Sequence, residues 1–257
     1  MQDLLRGHFT ILKAKCNQGQ KKPGVKNGPD FLHENVFKEY DWLTIDVPHL
    51  LFNSKSDYKN LFDVCKSTKY PFTIGGDHSI GVATVSASVA KHGDNLAVVW
   101  IDAHADINTI AASISKNTHG TPVSVCVGLD EAWWPMDERP ILKYENLKYV
   151  GIRDLDEFEK DVVKNNNITV FNPDDAIEFI KTTPKNIHIS FDVDGLDPSF
   201  LDSTGTIAPS GVSPLDVRRI IMAAIDEKKL VGLDLVEFNP DLGDKEKSLE
   251  TIKQIFA

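Results

Sequence analysis

Short apolar runs rich in β-branched residues alternate with helical periodicity along nearly the whole chain. That alternation restricts the fold more than any other feature. The runs lie at residues 9–14, 42–47, 72–74, 96–101, 147–152, 168–171, 187–191 and 230–236. Each is too short for a helix and has the composition of a strand buried on both faces. Between them, residues 58–66, 79–91, 156–165, 174–181 and 213–228 space their apolar side chains for amphipathic helices, and a short helix closes the chain. Ser213 before Pro214 is a helix start, a capping hydroxyl ahead of a ring that fixes the first turn. The pattern predicts the α/β class, as a three-layer α/β/α arrangement with a mostly parallel central sheet. A closed (β/α) barrel satisfies the same alternation. No internal repeat or low-complexity linker divides the chain, so residues 1–257 are read as one domain.

Where the runs stop, ionisable residues begin. His78, Asp102, Asp156, Asp192 and Glu237 each stand just past a predicted strand. Open parallel sheets place their sites beyond the carboxyl ends of the strands. After the run ending at Ile101 come Asp102, His104 and Asp106, at every second position, so an extended chain points all three to one side. Asp192 and Asp194 repeat that spacing. Clustered carboxylates raise one another's pKa and cannot all stay ionised unaided. Two divalent cations would neutralise the four carboxylates. The set is mostly hard oxygen, with two imidazoles and no thiolate. That favours Mn²⁺ over zinc and makes Mg²⁺ or Ca²⁺ a poorer fit. Two such ions about 3.5–4 Å apart share a water and lower its pKa towards neutrality, which is the chemistry of metal-assisted hydrolysis. Glu237 remains as a carboxylate outside the ligand set, and a guanidinium is its natural bidentate partner.

Composition narrows the partners. A net charge of −10 argues against nucleic acid and against an anionic membrane surface, both of which call for basic patches. Cys16, Cys65 and Cys126 are odd in number and widely spaced, so they form neither a disulfide framework nor a zinc signature. Asp3 and Arg6 interrupt the N-terminal apolar residues, with Lys13 and Lys15 close behind, which is not the layout of a secretory leader. No stretch has the length of a membrane span, and a cytoplasmic location is the expectation.

Five motifs, in order, carry a resemblance to a known family. They are Gly-Gly-Asp-His-Ser at 75–79, Asp-Ala-His-Ala-Asp-Ile-Asn at 102–108, Ser-x-Asn-x-His-Gly at 115–120, Ser-Phe-Asp-Val-Asp-Gly-Leu-Asp-Pro at 190–198 and Glu-x-Asn-Pro at 237–240. The chain resembles the arginases, binuclear manganese ureohydrolases, from Gly19 to Pro240. The resemblance implies two Mn²⁺ per subunit, held by His78, Asp102, His104, Asp106, Asp192 and Asp194, with Asp102 and Asp192 touching both ions. It implies that Glu237 holds the substrate guanidinium with Thr206 nearby, that a bridging hydroxide attacks the guanidinium carbon, that Asp106 passes a proton to the leaving amine, and that His119 shuttles protons. Asn108, Ser113, Ser115 and Asn117 match positions facing the amino-acid end of the substrate, and Asp156 and Glu159 match its ammonium side. The implied reaction is hydrolysis of L-arginine to L-ornithine and urea in a homo-oligomer, a trimer or hexamer. The alternatives are a sister hydrolase acting on agmatine or another guanidino or formimino compound, and a catalytically silent relative that binds a metal or an amino acid. A pocket built for an α-carboxylate rejects agmatine, which lacks one.

The chain departs from the family pattern at Ile207, where proline is usual, and at Lys116, where glycine is usual. The region from about 35 to 70 and the C-terminus are short for the family. Other residues have plainer readings. Asp154 and Asp234 read as helix caps, His188 as a hydrogen-bonded core histidine, Trp100 as core packing and Cys126 as a buried inert thiol. Gly75-Gly76 reads as close backbone packing rather than phosphate binding. His8, His33, His49 and His92 are given no role.

Overall fold

The computed structural model describes residues 9–38, 44–46, 55–131, 134 and 137–256. Its strands are β1 (Thr10–Ala14), β2 (Thr44–Asp46), β3 (Pro71–Gly75), β4 (Leu96–Ile101), β5 (Leu147–Val150), β6 (Thr169–Phe171), β7 (Asn186–Asp192) and β8 (Leu230–Val236). They form one eight-stranded sheet in the order β2-β1-β3-β8-β7-β4-β5-β6. Every neighbouring pair is parallel. β2 and β6 are the two edges, so the sheet is open and the barrel alternative falls. Of the second predicted strand, residues 44–46 pair with β1. The rest of that run, with His8 and His49, lies outside the described residues.

The helices are α1 (Gly28–Leu32), α2 (Lys55–Ser67), α3 (Gly81–His92), α4 (Pro122–Cys126), α5 (Glu157–Asn165), α6 (Pro173–Thr182), α7 (Pro214–Asp226) and α8 (Lys245–Phe256). Their starts follow from local chemistry. Ser213 caps α7 by accepting from the Asp216 N–H, with Pro214 in the first turn, and Asn172 with Pro173 does the same for α6. Asp156 and Glu159 form a reciprocal capping box at α5. Asp77 rather than Ser79 caps the turn that leads into α3.

Side chains alternate across the sheet and build two apolar layers. Ala97, Val99 and Ile101 of β4 and Ile187, Ile189 and Phe191 of β7 pack with α6, α7 and α8 through Ile180, Ile220 and Ile252. Val98 and Trp100 of β4 fall in the opposite layer, with Val85 of α3 and Val123 of α4. The three-layer expectation holds. Among the described residues, no helix is long and apolar enough to cross a membrane.

Two readings are corrected. Asp234 is no helix cap: it lies inside β8, 1% exposed, and its Oδ2 accepts from Thr84 at 2.6 Å, His188 at 2.9 Å and Ser190 at 3.2 Å. His188 is the hydrogen-bonded core histidine expected, completed by Ser88 at 2.8 Å. Asp154 is no cap either, since the capping at α5 is done by Asp156. Gly75-Gly76 packs as read, because a Cβ on Gly76 would lie 1.8 Å from the Cys16 carbonyl oxygen.

The sheet order places the site. β3, β8, β7 and β4 are consecutive neighbours, and their carboxyl ends lead directly to His78, Glu237, Asp192 and Asp102. Four crossovers that are remote in sequence thus open on one rim.

Candidate metal centre

The ligand residues are supplied by strand ends and the turns just past them. Asp192 ends β7, and its Oδ1 accepts the Asp194 N–H at 2.8 Å, closing a tight turn that presents both carboxylates. Asp102 does the same beyond β4, where Oδ1 accepts the His104 N–H at 2.7 Å. A Cβ on Gly195 would lie 3.0 Å from Asp102 Cα, so glycine lets the β7 turn close on the β4 turn. Asp106 and Glu237 both have left-handed backbones, with φ of 50° and 65°. Such conformations cost about 1–3 kcal/mol each and persist where the surroundings over-determine them. Glu237 is held by its N–H to the Gly76 carbonyl at 2.8 Å, and Asp106 by its carbonyl accepting from Val123 of α4 at 2.9 Å.

The six predicted ligands lie together, but Asp106 falls outside both candidate ion-holding groups and only its Oδ2 approaches His78. His78 Nδ1 faces Asp102 Oδ2 at 3.1 Å, Asp106 Oδ2 at 3.1 Å and Asp192 Oδ2 at 3.2 Å. His104 Nδ1 faces Asp102 Oδ1 at 3.4 Å and Asp194 Oδ2 at 3.2 Å. Two groups of potential ligand atoms result, His78–Asp102–Asp192 and Asp102–His104–Asp194, each within 4.8 Å. Asp102 belongs to both through its two oxygens. Asp192 falls in the first group alone, narrower than the two-ion contact the resemblance implied.

His78 Nδ1 and Asp106 Oδ2 are buried and have no hydrogen-bond partner. Orphaned polar atoms of this kind are costly unless something else engages them. They lie 3.1 Å apart beside the Asp102 and Asp192 carboxylates, so the residues present fit a cation. His78 is set from behind by Nε2 against Ser190 Oγ at 2.9 Å, and its ring stacks on Trp100 with centroids 4.1 Å apart. Trp100 is core, as read, and it also donates Nε1–H to Asp102 Oδ2 at 2.9 Å.

Next to the ligands is a cavity of about 260 Å³. Asn108, Ser113, Ser115, Asn117, Asp156, Glu159 and Thr206 line it together with His104, Asp106, Asp192 and His119. Every substrate-side residue read from the sequence is therefore on its wall except Glu237. That residue is 1% exposed and already engaged. Its Oε1 accepts from the His78 N–H at 2.9 Å and lies 3.0 Å from His119 Nδ1, and its Oε2 accepts from Gln20 Nε2. A guanidinium reaching Glu237 must displace the Gln20 amide. Thr206 donates to Asp194 Oδ2 at 2.6 Å.

A sequence model of the Arginase family matches residues 8–257. The chain belongs to the arginase family. It is 34% identical to the arginase of Saccharomyces cerevisiae over 92% of its own length and 77% of that protein. It is 31% identical to the hepatic arginase of Aquarana catesbeiana, covering 96% and 89% of the two chains. Its fold superposes on an Entamoeba histolytica arginase, solved in complex with L-ornithine, at a TM-score of 0.85 and 31% identity, covering 97% of this chain and 98% of that one.

The electrostatics of this arginase-family site follow from the crowding of like charge. Burial and the neighbouring Asp102 push Asp106 up to about 6. Asp192 is also raised, by burial and by the Asp194 and Asp102 charges, and Asp194 by burial and by the Asp102 charge. Burial works against charge on both His78 and His104, but the carboxylates around them win and raise both. Those two imidazoles outweigh burial at Asp102 and lower it. Burial opposes charge on His119 too, but its bond to Glu237 lifts it to about 9. Glu159, buried beside Asp106 and Asp156, rises to about 7.

Two contributors, Gln20 and Asp77, leave no mark of their role in the sequence, and the departure at Lys116 leaves none of its geometry. Gln20 is a neutral amide in a Gly/Lys/Pro-rich loop, and nothing in its neighbourhood marks a contact with Glu237. Asp77 reads as part of a motif but works as a buried anchor, accepting from the Gly19 N–H at 2.8 Å and the Ser79 N–H at 3.1 Å. Lys116 has a φ of 59° and folds its ammonium back onto the carbonyls of Ile110 and Ala111, at 2.8 and 2.9 Å.

Proposed function

We propose that the chain hydrolyses the guanidinium group of L-arginine to L-ornithine and urea, using two Mn²⁺ held by His78, Asp102, His104, Asp106, Asp192 and Asp194. The observation that carries this reading is the shared position of Asp102, whose two oxygens serve two adjoining ligand groups at the edge of a polar cavity. The oxygen-rich donor set with one imidazole per group favours Mn²⁺. When bound, a pair of such ions supplies Lewis acidity and a hydroxide nucleophile at neutral pH.

The chain's own residues do the rest. Glu237 orients the guanidinium once Gln20 yields, and Thr206 steadies Asp194 alongside. Asn108, Ser113, Ser115 and Asn117 offer neutral donors to the α-carboxylate. Asp156 and Glu159 face the α-ammonium, whose charge offsets the burial and the neighbouring carboxylates that raise Glu159. Asp106 lines the cavity beside His104 and Asp192, where its carboxylate can take a proton and pass it to the leaving amine. His119 sits on the cavity wall with Nδ1 on Glu237, which leaves Nε2 to move protons between the site and solvent.

The deciding experiment is urea release from L-arginine by Mn²⁺-loaded protein, with agmatine and other guanidino and formimino compounds beside it. Turnover of L-arginine well above agmatine is expected. Preference for agmatine would overturn the carboxylate assignment, and silence on every substrate at full metal occupancy would favour a regulatory relative. The trimer or hexamer belongs to the same reading, and light scattering after gel filtration checks it.

A further inference from the structure

Arg153 is two residues past Gly151 and touches none of the ligand atoms, yet it joins three segments of the site. Its Nε donates to the Pro209 carbonyl at 2.9 Å. Nη1 donates to Gly151 at 3.0 Å and Gly195 at 3.2 Å. Nη2 donates to Asp194 at 2.9 Å, Leu196 at 3.2 Å and Ala208 at 3.1 Å. Its backbone N–H donates to the Ala103 carbonyl at 2.8 Å. One residue thus fastens the turn after β4, the turn after β7 and the loop that carries Thr206. A planar guanidinium with donors on three nitrogens can do this, and an ammonium cannot.

The two ligand groups differ in what holds them. Asp192 is inside the sheet ladder, paired with Val236, so the strands themselves fix it. Asp194 is beyond the last ladder pair. Its side chain is set by the Ala103 N–H at 3.2 Å and by the Thr206 hydroxyl at 2.6 Å, and Arg153 bonds Asp194 itself and the segments on which Ala103 and Thr206 stand.

We infer that Arg153 is the positioning residue of the Asp102–His104–Asp194 group, and that it sets the affinity of one of two cations without touching either. The inference rests on the two-ion reading above. The test is calorimetric Mn²⁺ titration of wild-type protein, Arg153→Lys and Arg153→Met, with far-UV circular dichroism of the metal-free proteins. Both variants keep the wild-type spectrum. One binding step weakens by about 10- to 100-fold, the range seen when partners of ligands are lost, and the other stays within about threefold. Arg153→Lys, which keeps the charge but reaches fewer carbonyls, falls between wild type and Arg153→Met. At excess Mn²⁺ the turnover of both returns towards wild type. Equal weakening of both steps, unchanged affinities, or failure of both variants to fold would each assign Arg153 to general stability and overturn the inference. Wild-type protein binding fewer than two Mn²⁺ would overturn the two-ion centre itself, a failure visible before any substitution is made.

Discussion

Replacing Trp100 with phenylalanine removes one donor from the central carboxylate and leaves an aromatic ring beneath His78. The indole N–H reaches Asp102 Oδ2 at 2.9 Å, and both residues are buried, so water cannot take its place. A hydrogen bond to a charged acceptor contributes about 1.5–3 kcal/mol. Asp102 belongs to both ligand groups, so that energy orients an oxygen pair on which the whole centre depends. At about 1.4 kcal/mol per decade, the loss corresponds to roughly 10- to 100-fold in metal affinity. Partners of metal ligands generally cost about the same when removed, so two independent routes agree. The assay is Mn²⁺ titration of Trp100→Phe by calorimetry, with urea release followed at limiting and at excess Mn²⁺. Activity at limiting metal should fall in step with affinity and recover at excess. The smaller ring also leaves a void, so metal-free thermal unfolding is measured separately and the titration is run well below the midpoint. Mn²⁺ affinity within twofold of wild type would refute the claim that the indole N–H sets Asp102.

Three further outcomes follow from the same geometry. Glu159 titrates near 7 folded against 4.5 ordinarily, so the folded state holds the extra proton and stability falls as pH rises from about 4.5 to 7. Glu159→Gln keeps an amide for the capping box and should gain on the order of 3 kcal/mol relative to wild type across that window. Guanidinium chloride unfolding at pH 5 and pH 8 reads this, and equal pH slopes for the two proteins would contradict it. His119→Asn should lower turnover by about 10²- to 10⁴-fold while Mn²⁺ affinity stays within about threefold, because His119 is in neither ligand group; a large loss of metal would show that its role is structural. Lys116→Gly relieves a left-handed backbone costing about 1–2 kcal/mol but loses two ammonium bonds. Unfolding free energy should therefore change by less than about 1 kcal/mol while the KM for L-arginine rises several-fold, and an unchanged KM would separate Lys116 from substrate binding.

Much of this molecule is readable from residue order, for a physical reason. Period-two spacing is local and marks Asp102, His104 and Asp106 as a set, although they meet through the turn at Asp102 and the left-handed Asp106 rather than by extended-chain alternation. Likewise a buried strand declares itself by its own composition. What stays hidden depends on neighbours distant in sequence. Nothing within the run 230–236 says that it lies between β3 and β7. The role of Asp234 is hidden for the same reason: a carboxylate inside an apolar strand is tolerable only with donors, and those come from Thr84, His188 and Ser190. Gln20 meets Glu237 from the other end of the chain, and Arg153 acts through carbonyls, which every residue has. The left-handed backbones of Asp106, Lys116 and Glu237 leave no mark either, since none is glycine.

The place of β8 has a consequence for synthesis. Among the described residues it is the last strand in chain order, yet it occupies the middle of the sheet, and until it inserts, β3 and β7 have no shared neighbour. A nascent chain leaving the ribosome therefore carries two half-sheets with an open seam, and His78 stays on one half while Asp102 and Asp192 are on the other. The His78–Asp102–Asp192 group can close only once translation has passed Val236, whereas the Asp102–His104–Asp194 group lies wholly on the β4–β7 half and can assemble earlier. Joining across so long a sequence separation is intrinsically slow, which makes this seam the point at which holdase chaperones have most to protect.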